Sequence, residues 1–284
     1  MDKLELILFN VGQGLSVALI EHPENYITVV DMGSEKSFSP LYYLSAKRKL
    51  RADVLYVTHP HGDHISDVEI ASTSGYLPDF LHYQDYDWED VAKREKPELR
   101  ENINKFQNLI QTVPSGEYNG SGGLTAWRWS PDDAKKEFGD TSYINNSSLF
   151  LIYTWKDFKI AIAGDHQTAA MERLCGYDKF KESAKGAYIL IAPHHGHSEG
   201  YTSMWPTEIG KPYITLISAQ TRDSSVATGY GKESFAKGCN INGKTRYSLT
   251  TRDDGTIFVE MWYNNEKPTW SFKTETEIPK NWWS

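Results

Sequence analysis

Val54-Leu55-Tyr56-Val57-Thr58-His59-Pro60-His61-Gly62-Asp63-His64-Ile65-Ser66-Asp67 is the stretch that decides how this chain reads. Its first four residues are a short apolar run of the kind that forms a buried strand. Directly behind them, three histidines and an aspartate fall within six positions. A strand that ends in a His-x-His-x-Asp-His loop aims two imidazoles at one point, and a carboxylate with a third imidazole at a neighbouring point. Neutral imidazole and carboxylate are borderline-to-hard ligands, the set that a pair of divalent metals takes. A merely polar surface loop does not concentrate these residue types at this spacing, so the stretch reads as a metal site.

Three further strand-like runs end in the same kinds of residue. Tyr26-Ile27-Thr28-Val29-Val30 leads into Asp31-Met32-Gly33, and Ile160-Ala161-Ile162-Ala163-Gly164 leads into Asp165. Ala187-Tyr188-Ile189-Leu190-Ile191-Ala192-Pro193 leads into His194-His195-Gly196. Together with His59-x-His61-x-Asp63-His64, these stations resemble those of the metallo-β-lactamase superfamily, a mostly hydrolytic family. The resemblance implies an α/β fold, a four-layer αββα sandwich, formed as one domain over residues 1–284 with a helical insert at 68–140 over the active-site cleft. It implies two divalent ions, Zn or Mn. His59 and His61 would hold the first, Asp63 and His64 the second, with Asp165 bridging and His195 completing the second. Asp63 and His194 would be the catalytic residues, His194 facing a phosphate as donor or proton-transfer group. Asp31 would accept an N–H from a ligand histidine and fix its tautomer. Asp67 either does the same or is an acid at a helix start. Asn145-Asn146-Ser147-Ser148 stands where other branches place a third histidine. Asn146 and Ser148 then either hydrogen-bond substrate or simply begin the next strand.

A narrower resemblance covers roughly residues 5 to 260 apart from the insert. Phe9-Asn10-Val11-Gly12-Gln13-Gly14, Asn145-Asn146-Ser147-Ser148-Leu149, Pro193-His194-His195-Gly196 and Thr251-Arg252-Asp253-Asp254-Gly255-Thr256-Ile257 resemble the metal-hydrolase domain of ComEC-type DNA-uptake proteins. Secreted phosphorylcholine esterases share part of the pattern. This branch acts on phosphodiesters, so the resemblance implies a phosphodiesterase or nuclease taking nucleotides or single-stranded nucleic acid. Two departures stand out. Asn10 and Leu15 occupy positions that are acidic in the family, and Lys232 replaces the histidine of a Tyr-Gly-His-Pro motif. A hydrolase of another ester, such as a phosphorylcholine ester or lactone, and a regulatory binding module on the same fold are the competing readings.

Composition sets limits on partners. A length of 284 residues buries enough apolar surface to need no covalent staples. Cys175 and Cys239 lie far apart, fit no metal or redox spacing, and read as small buried hydrophobes in a reducing cytoplasm. Met1-Asp2-Lys3-Leu4-Glu5 gives no sign of a secretion signal, and no 18-residue apolar run suggests a membrane span. A net charge of −8 argues against a surface that coats nucleic acid, and residues 68–140 carry most of it, with 14 acids against 8 Lys/Arg.

Along the chain, strands are expected at Leu4–Phe9, Ser16–Ile20 and Asp53–Val57, and a helix at Leu41–Leu50. Within the insert, Val91, Leu99, Ile103, Phe106 and Leu109-Ile110 stand near helical spacing, which predicts one amphipathic helix or two short ones between Asp87 and Thr112. A second sheet is expected from Leu149–Trp155, Lys159–Ala163, Ala187–Ala192 and Tyr213–Ser218, closed by Thr256–Tyr263. Trp88, Tyr86 and Tyr83 are candidates for stacking on a base or an organic cation, or else for packing. The Trp282-Trp283 pair suggests a C-terminal tail that docks on the body or on a protein partner.

Overall fold

The computed structural model describes residues 2–34, 38–220 and 225–275, so the Trp282-Trp283 pair lies outside the described residues. The chain begins with five strands: β1 (Lys3–Leu8), β2 (Val17–His22), β3 (Tyr26–Val30), β4 (Val54–Tyr56) and β5 (Phe80–His82). Eight more follow: β6 (Gly123–Trp127), β7 (Phe150–Trp155), β8 (Phe158–Ile162), β9 (Ile189–Ile191), β10 (Ile214–Ile217), β11 (Cys239–Ile241), β12 (Lys244–Arg246) and β13 (Ser248–Thr250). The last two are β14 (Thr256–Asn264) and β15 (Lys267–Glu275). The fold is mixed α/β, and it divides into two compact units, Met1–Ser121 with Asp254–Ser284, and Gly122–Asp253.

The first unit holds a seven-stranded sheet in the order β15-β14-β1-β2-β3-β4-β5. From β15 to β3 neighbouring strands are antiparallel, and β3, β4 and β5 are parallel. Parallel strands release their chain ends on one side, so the residues following β3 and β4 emerge together. The backbone confirms it, with Asp31 N–H donating to Tyr56 C=O at 2.8 Å. β14 corrects one expectation. It does not close the second sheet but pairs with β1, Leu4 opposite Met261 and Leu8 opposite Ile257. Strand periodicity states which residues alternate, not which partner they choose.

The stretch 68–140 is not one body. Its helices Trp88–Arg94 and Arg100–Thr112 belong to the first unit, joined by a short turn at Pro97–Leu99, whereas β6 and the helix Pro131–Phe138 belong to the second. The two-helix alternative is therefore the one adopted, and Pro97 gives the reason, because it lacks an N–H and restricts the residue before it. Ile103, Phe106 and Leu109 form the buried face of Arg100–Thr112. The Trp88 and Tyr83 rings both pack against Phe106, at centroid separations of 5.8 and 6.0 Å.

The second unit holds a six-stranded sheet in the order β13-β10-β9-β8-β7-β6, with a separate β11-β12 hairpin. β8, β9, β10 and β13 run parallel. Alternate residues Phe150, Ile152, Ala161, Ala163, Leu190 and Ile217 share a core with Met171, Leu174, Phe180, Ala184 and Trp205 from the helical segments. The other face of these strands is buried as well, including Leu151, Tyr153, Ile160 and Ile162. Burial on both sides explains the nearly continuous apolar runs that lead into Asp165 and His194. Cys175 and Cys239 are buried thiols, and burial pushes the Cys175 thiol up to about 12. No helix among the described residues is long and apolar enough to cross a membrane.

Phe106→Ala should destabilise the protein by about 3–5 kcal/mol, the usual cost of deleting a buried aromatic ring. Urea unfolding measures it, and a loss below about 1 kcal/mol would remove Phe106 from the core.

Candidate metal centre

In the first unit the centre begins with a carboxylate that never meets solvent. Asp31 follows β3 in a left-handed conformation (φ 58°) and is fully buried. Its Oδ1 accepts the Thr58 N–H at 2.7 Å, and its Oδ2 accepts the Thr58 hydroxyl at 2.7 Å. The same Oδ2 stands 2.7 Å from His64 Nδ1. An ionised carboxylate only accepts, so His64 Nδ1 carries the proton and Nε2 keeps its lone pair. Burial raises the Asp31 pKa, while the His64 ring and the Thr58 donors work against that shift.

Thr58 extends this control to a second histidine. Its single hydroxyl proton is given to Asp31, so its lone pair is left to face His59 Nδ1 at 3.2 Å. With that bond the proton of His59 sits on Nδ1 and the lone pair on Nε2. His59 Nε2 lies 3.0 Å from His61 Nδ1, close to the ~3.3 Å separating two nitrogens on one tetrahedral ion with bonds of about 2.0–2.1 Å. The His59 and His64 rings are 4.2 Å apart by centroid and almost wholly buried. These residues fit a divalent metal: His59 and His64 keep their Nε2 lone pairs, His61 Nδ1 lies beside that of His59, and hydrogen bonds from behind hold the first two rings there.

The loop needs room at two glycines. A Cβ at Gly14, whose φ of 112° is already unfavourable for other residues, would overlap the Asp63 carbonyl oxygen. One at Gly33 would stand 2.9 Å from the same oxygen. Gly14 and Gly33 therefore let the β1–β2 turn and the segment after β3 press against the backbone of Asp63.

In the second unit, Asp165 follows β8, and its N–H donates to the Ser148 hydroxyl at 3.1 Å. His195 Nε2 lies 3.3 Å from Asp165 Oδ2. His194, His195 and Gly196 all have positive φ (49°, 54° and 74°), strained at the two histidines and easy at the glycine, and they turn the chain sharply after β9. The His194 N–H donates to Gly164 C=O at 3.0 Å, which ties this turn to the one before Asp165. Burial holds the His194 pKa below its ordinary value, although the Asp165 charge opposes this. The neighbouring His166 is fully buried, bonds the Ala163 carbonyl through Nδ1 at 2.6 Å, and is held down to about 4 by burial.

Several residues singled out in the sequence make hydrogen bonds or packing contacts of their own. Ser148 is fully buried and receives the Asp165 N–H. Asn146 is buried too, and exchanges two bonds with Gln167, at 2.8 and 3.1 Å. Both hold the turn that presents Asp165. Asp67 stands at the start of the helix Val68–Ala71, the second of the two alternatives, although its side chain makes no capping bond there. Its Oδ2 accepts from the Ser39 hydroxyl at 2.6 Å and the Leu41 N–H at 3.2 Å, which anchors the 39–41 segment. Trp88 and Tyr86 pack on each other at 5.8 Å, and the Trp88 indole donates to Asp85. Packing, the alternative weighed for these rings, accounts for them. Of the two positions Asn10 and Leu15, the first donates its backbone N–H to Thr256 Oγ1 at 3.1 Å, a bond that does not depend on the side chain, and Leu15 is buried.

Sequence reasoning missed Thr58, Gln167, Glu95 and Asn102. Thr58 adjoins the histidines and could have been read as a hydroxyl at the strand end. Glu95 and Asn102 carry no local signal, being one acid and one amide in a strongly charged stretch.

No protein-family model matches the chain, and no curated protein matches it. Among solved structures the chain is similar to a diphosphatase of the PhnP family at 14% identity and a TM-score of 0.40, over 74% of this chain and 75% of that one. It is similar to Igni18, a metallo hydrolase from Ignicoccus hospitalis, at 13% identity and a TM-score of 0.40, over 78% and 85%. It is also similar to the Rm3 metallo-β-lactamase at 12% identity and a TM-score of 0.35, over 72% and 84%. Likenesses of this size assign neither a substrate nor a residue's role.

Thr58→Val keeps the shape and the backbone donor to Asp31 but removes the hydroxyl link to His59. The proton of His59 should then redistribute between its ring nitrogens, visible in ¹⁵N imidazole shifts, and metal affinity should fall about 10–100-fold. Thr58→Ser should restore both, and unchanged shifts in the valine variant would refute the link.

Burial raises the Asp67 pKa to about 7 against an ordinary 3.8, opposed by Ser39 and Leu41. The folded protein then binds more protons than the unfolded chain between about pH 4 and pH 7, so stability falls as pH rises through that window. Asp67→Asn should flatten the fall. Equal pH slopes for the two proteins in urea titrations would contradict the shift.

Proposed function

We propose that this chain is a divalent-metal-dependent hydrolase that cleaves phosphodiesters, with nucleic acid or nucleotides as the substrate class. The observation that carries the metal reading is the buried Asp31 carboxylate, which, through His64 directly and His59 by way of Thr58, leaves two imidazole lone pairs for a cation. The proposed ligands are His59, His61, Asp63, His64, Asp165 and His195, holding two ions, zinc or manganese.

Bound divalent cations supply Lewis acidity, which lowers the pKa of water and offsets charge on phosphate oxygens. The chain's own residues do the rest. Asp31 and Thr58 hold the ring protons of His64 and His59 on Nδ1, which leaves Nε2 of each as the atom that would face a cation. Asp63 and Asp165 contribute negative charge that balances the cations. His194, neutral at pH 7 because burial opposes its charged form, offers a ring that can take or return a proton beside the reacting phosphate. The turn at His194–Gly196 and its backbone bond to Gly164 hold the main chain that carries that ring. The phosphodiester class is supported by the sequence resemblance of Pro193-His194-His195-Gly196 and the Asn145–Leu149 stretch to the DNA-uptake branch. Two divalent ions would also offset half of the net charge of −8, easing the approach of an anionic substrate.

Protein purified without chelator should contain close to two transition-metal ions per chain and should hydrolyse bis-p-nitrophenyl phosphate or single-stranded DNA. EDTA should abolish turnover and Mn²⁺ or Zn²⁺ should restore it. His64→Ala and Asp165→Ala should lose metal and activity together. His194→Ala should keep its metal and lose about 10²–10⁴ in rate. Fully metallated protein that cleaves no phosphodiester would leave the substrate assignment without support.

A further inference from the structure

The peptide on either side of Gly62, at the apex of the histidine loop, is gripped from the neighbouring helical segment. The Gly62 N–H donates to Glu95 Oε2 at 2.6 Å, and the Gly62 C=O accepts from Asn102 Nδ2 at 3.2 Å. Leu99 fills the space between: a Cβ on Gly62 would lie 2.5 Å from Leu99 Cβ and 3.2 Å from Glu95 Oε2. Glycine is required there by proximity. Glu95 is buried at 8% exposure, and its other oxygen accepts the Lys96 N–H at 2.7 Å, so the carboxylate is held at both ends.

We propose that Glu95 and Asn102 are positioning residues that clamp Gly62 and thereby set the orientation of His61 and Asp63 on either side of it. The Gly62 N–H belongs to the peptide shared with His61, and its C=O to the peptide shared with Asp63. Fixing both planes removes the rotations by which a glycine would let its neighbours swing. A carboxylate accepting a backbone N–H is a charge-assisted bond, about twice as strong as a neutral one. The clamp is anchored by core side chains of the same segment, Val91, Ile103, Phe106 and Leu109, all buried. The inference rests on the metal reading above for its functional meaning, while the clamp itself is a property of the chain without metal.

The test uses the full-length protein. Hydrogen exchange at the Gly62 amide, followed by NMR in metal-free protein, should be protected in the wild type and in Glu95→Gln, whose amide oxygen still accepts. In Glu95→Ala, protection there should drop at least tenfold while amides of Arg100–Thr112 keep theirs. With Zn²⁺ added, affinity by chelator competition should weaken about 10–100-fold in Glu95→Ala and in Asn102→Leu, with recovery in Glu95→Gln. Wild-type exchange at Gly62 in Glu95→Ala would overturn the clamp. So would wild-type zinc affinity in both Glu95→Ala and Asn102→Leu. Loss of helix protection along with Gly62 would mean that Glu95 only stabilises the fold, which also overturns it. If the wild type binds no metal while the exchange pattern holds, the hydrolase reading fails and the clamp stands as a structural device.

Discussion

One buried carboxylate organises the histidine loop. Placing Asp31 out of solvent is costly unless each of its oxygens is satisfied, and the donors nearby are Thr58 and His64. The demand runs in both directions. The strand ends must bring Thr58 and His64 to Asp31, and once there, the two histidines have their protons on the inner nitrogens. The left-handed turn at Asp31 and the Met32 N–H bond to His64 C=O at 2.9 Å are parts of the same arrangement. Catalytic metal sites gain from such a layer because ligands already aimed need little reordering when an ion arrives.

The second unit solves a similar problem by other means. Asp165 is presented by Ser148 at its own N–H and by the Asn146–Gln167 exchange just after it. His195 is presented by three consecutive positive-φ residues. Strain of this kind persists only where surrounding packing imposes it, and here β8 and β9 are buried on both faces. In the second unit, Asn146 and Ser148, read from the sequence as bonding substrate or as starting a strand, bond Gln167 and the Asp165 N–H. Asn146, Ser148 and Asp67 each bond backbone or neighbouring side chains.

The helical stretch between β5 and β6 has a similar lesson. Its density of charge and aromatic rings suggests a recognition surface. Instead, Trp88, Tyr83 and Phe106 pack together, and Glu95 and Asn102 turn inward onto the histidine loop. Aromatic side chains bury more area than they expose in most folds, and a short helix pair needs such a cluster to be stable.

The sequence by itself determined the histidine loop and the strands that carry it, because a His-x-His-x-Asp-His run behind an apolar strand is local chemistry at fixed spacing. It also determined the two sheets' main strands, whose apolar runs need no knowledge of their partners. Only the tertiary structure decided that Thr256–Asn264 joins β1, that Thr58 links His59 to Asp31, and that Glu95, some thirty positions away, holds Gly62. The reason is physical. Strand pairing and second-layer hydrogen bonds are choices among many chemically equivalent partners, and only the packed chain brings one of them within reach.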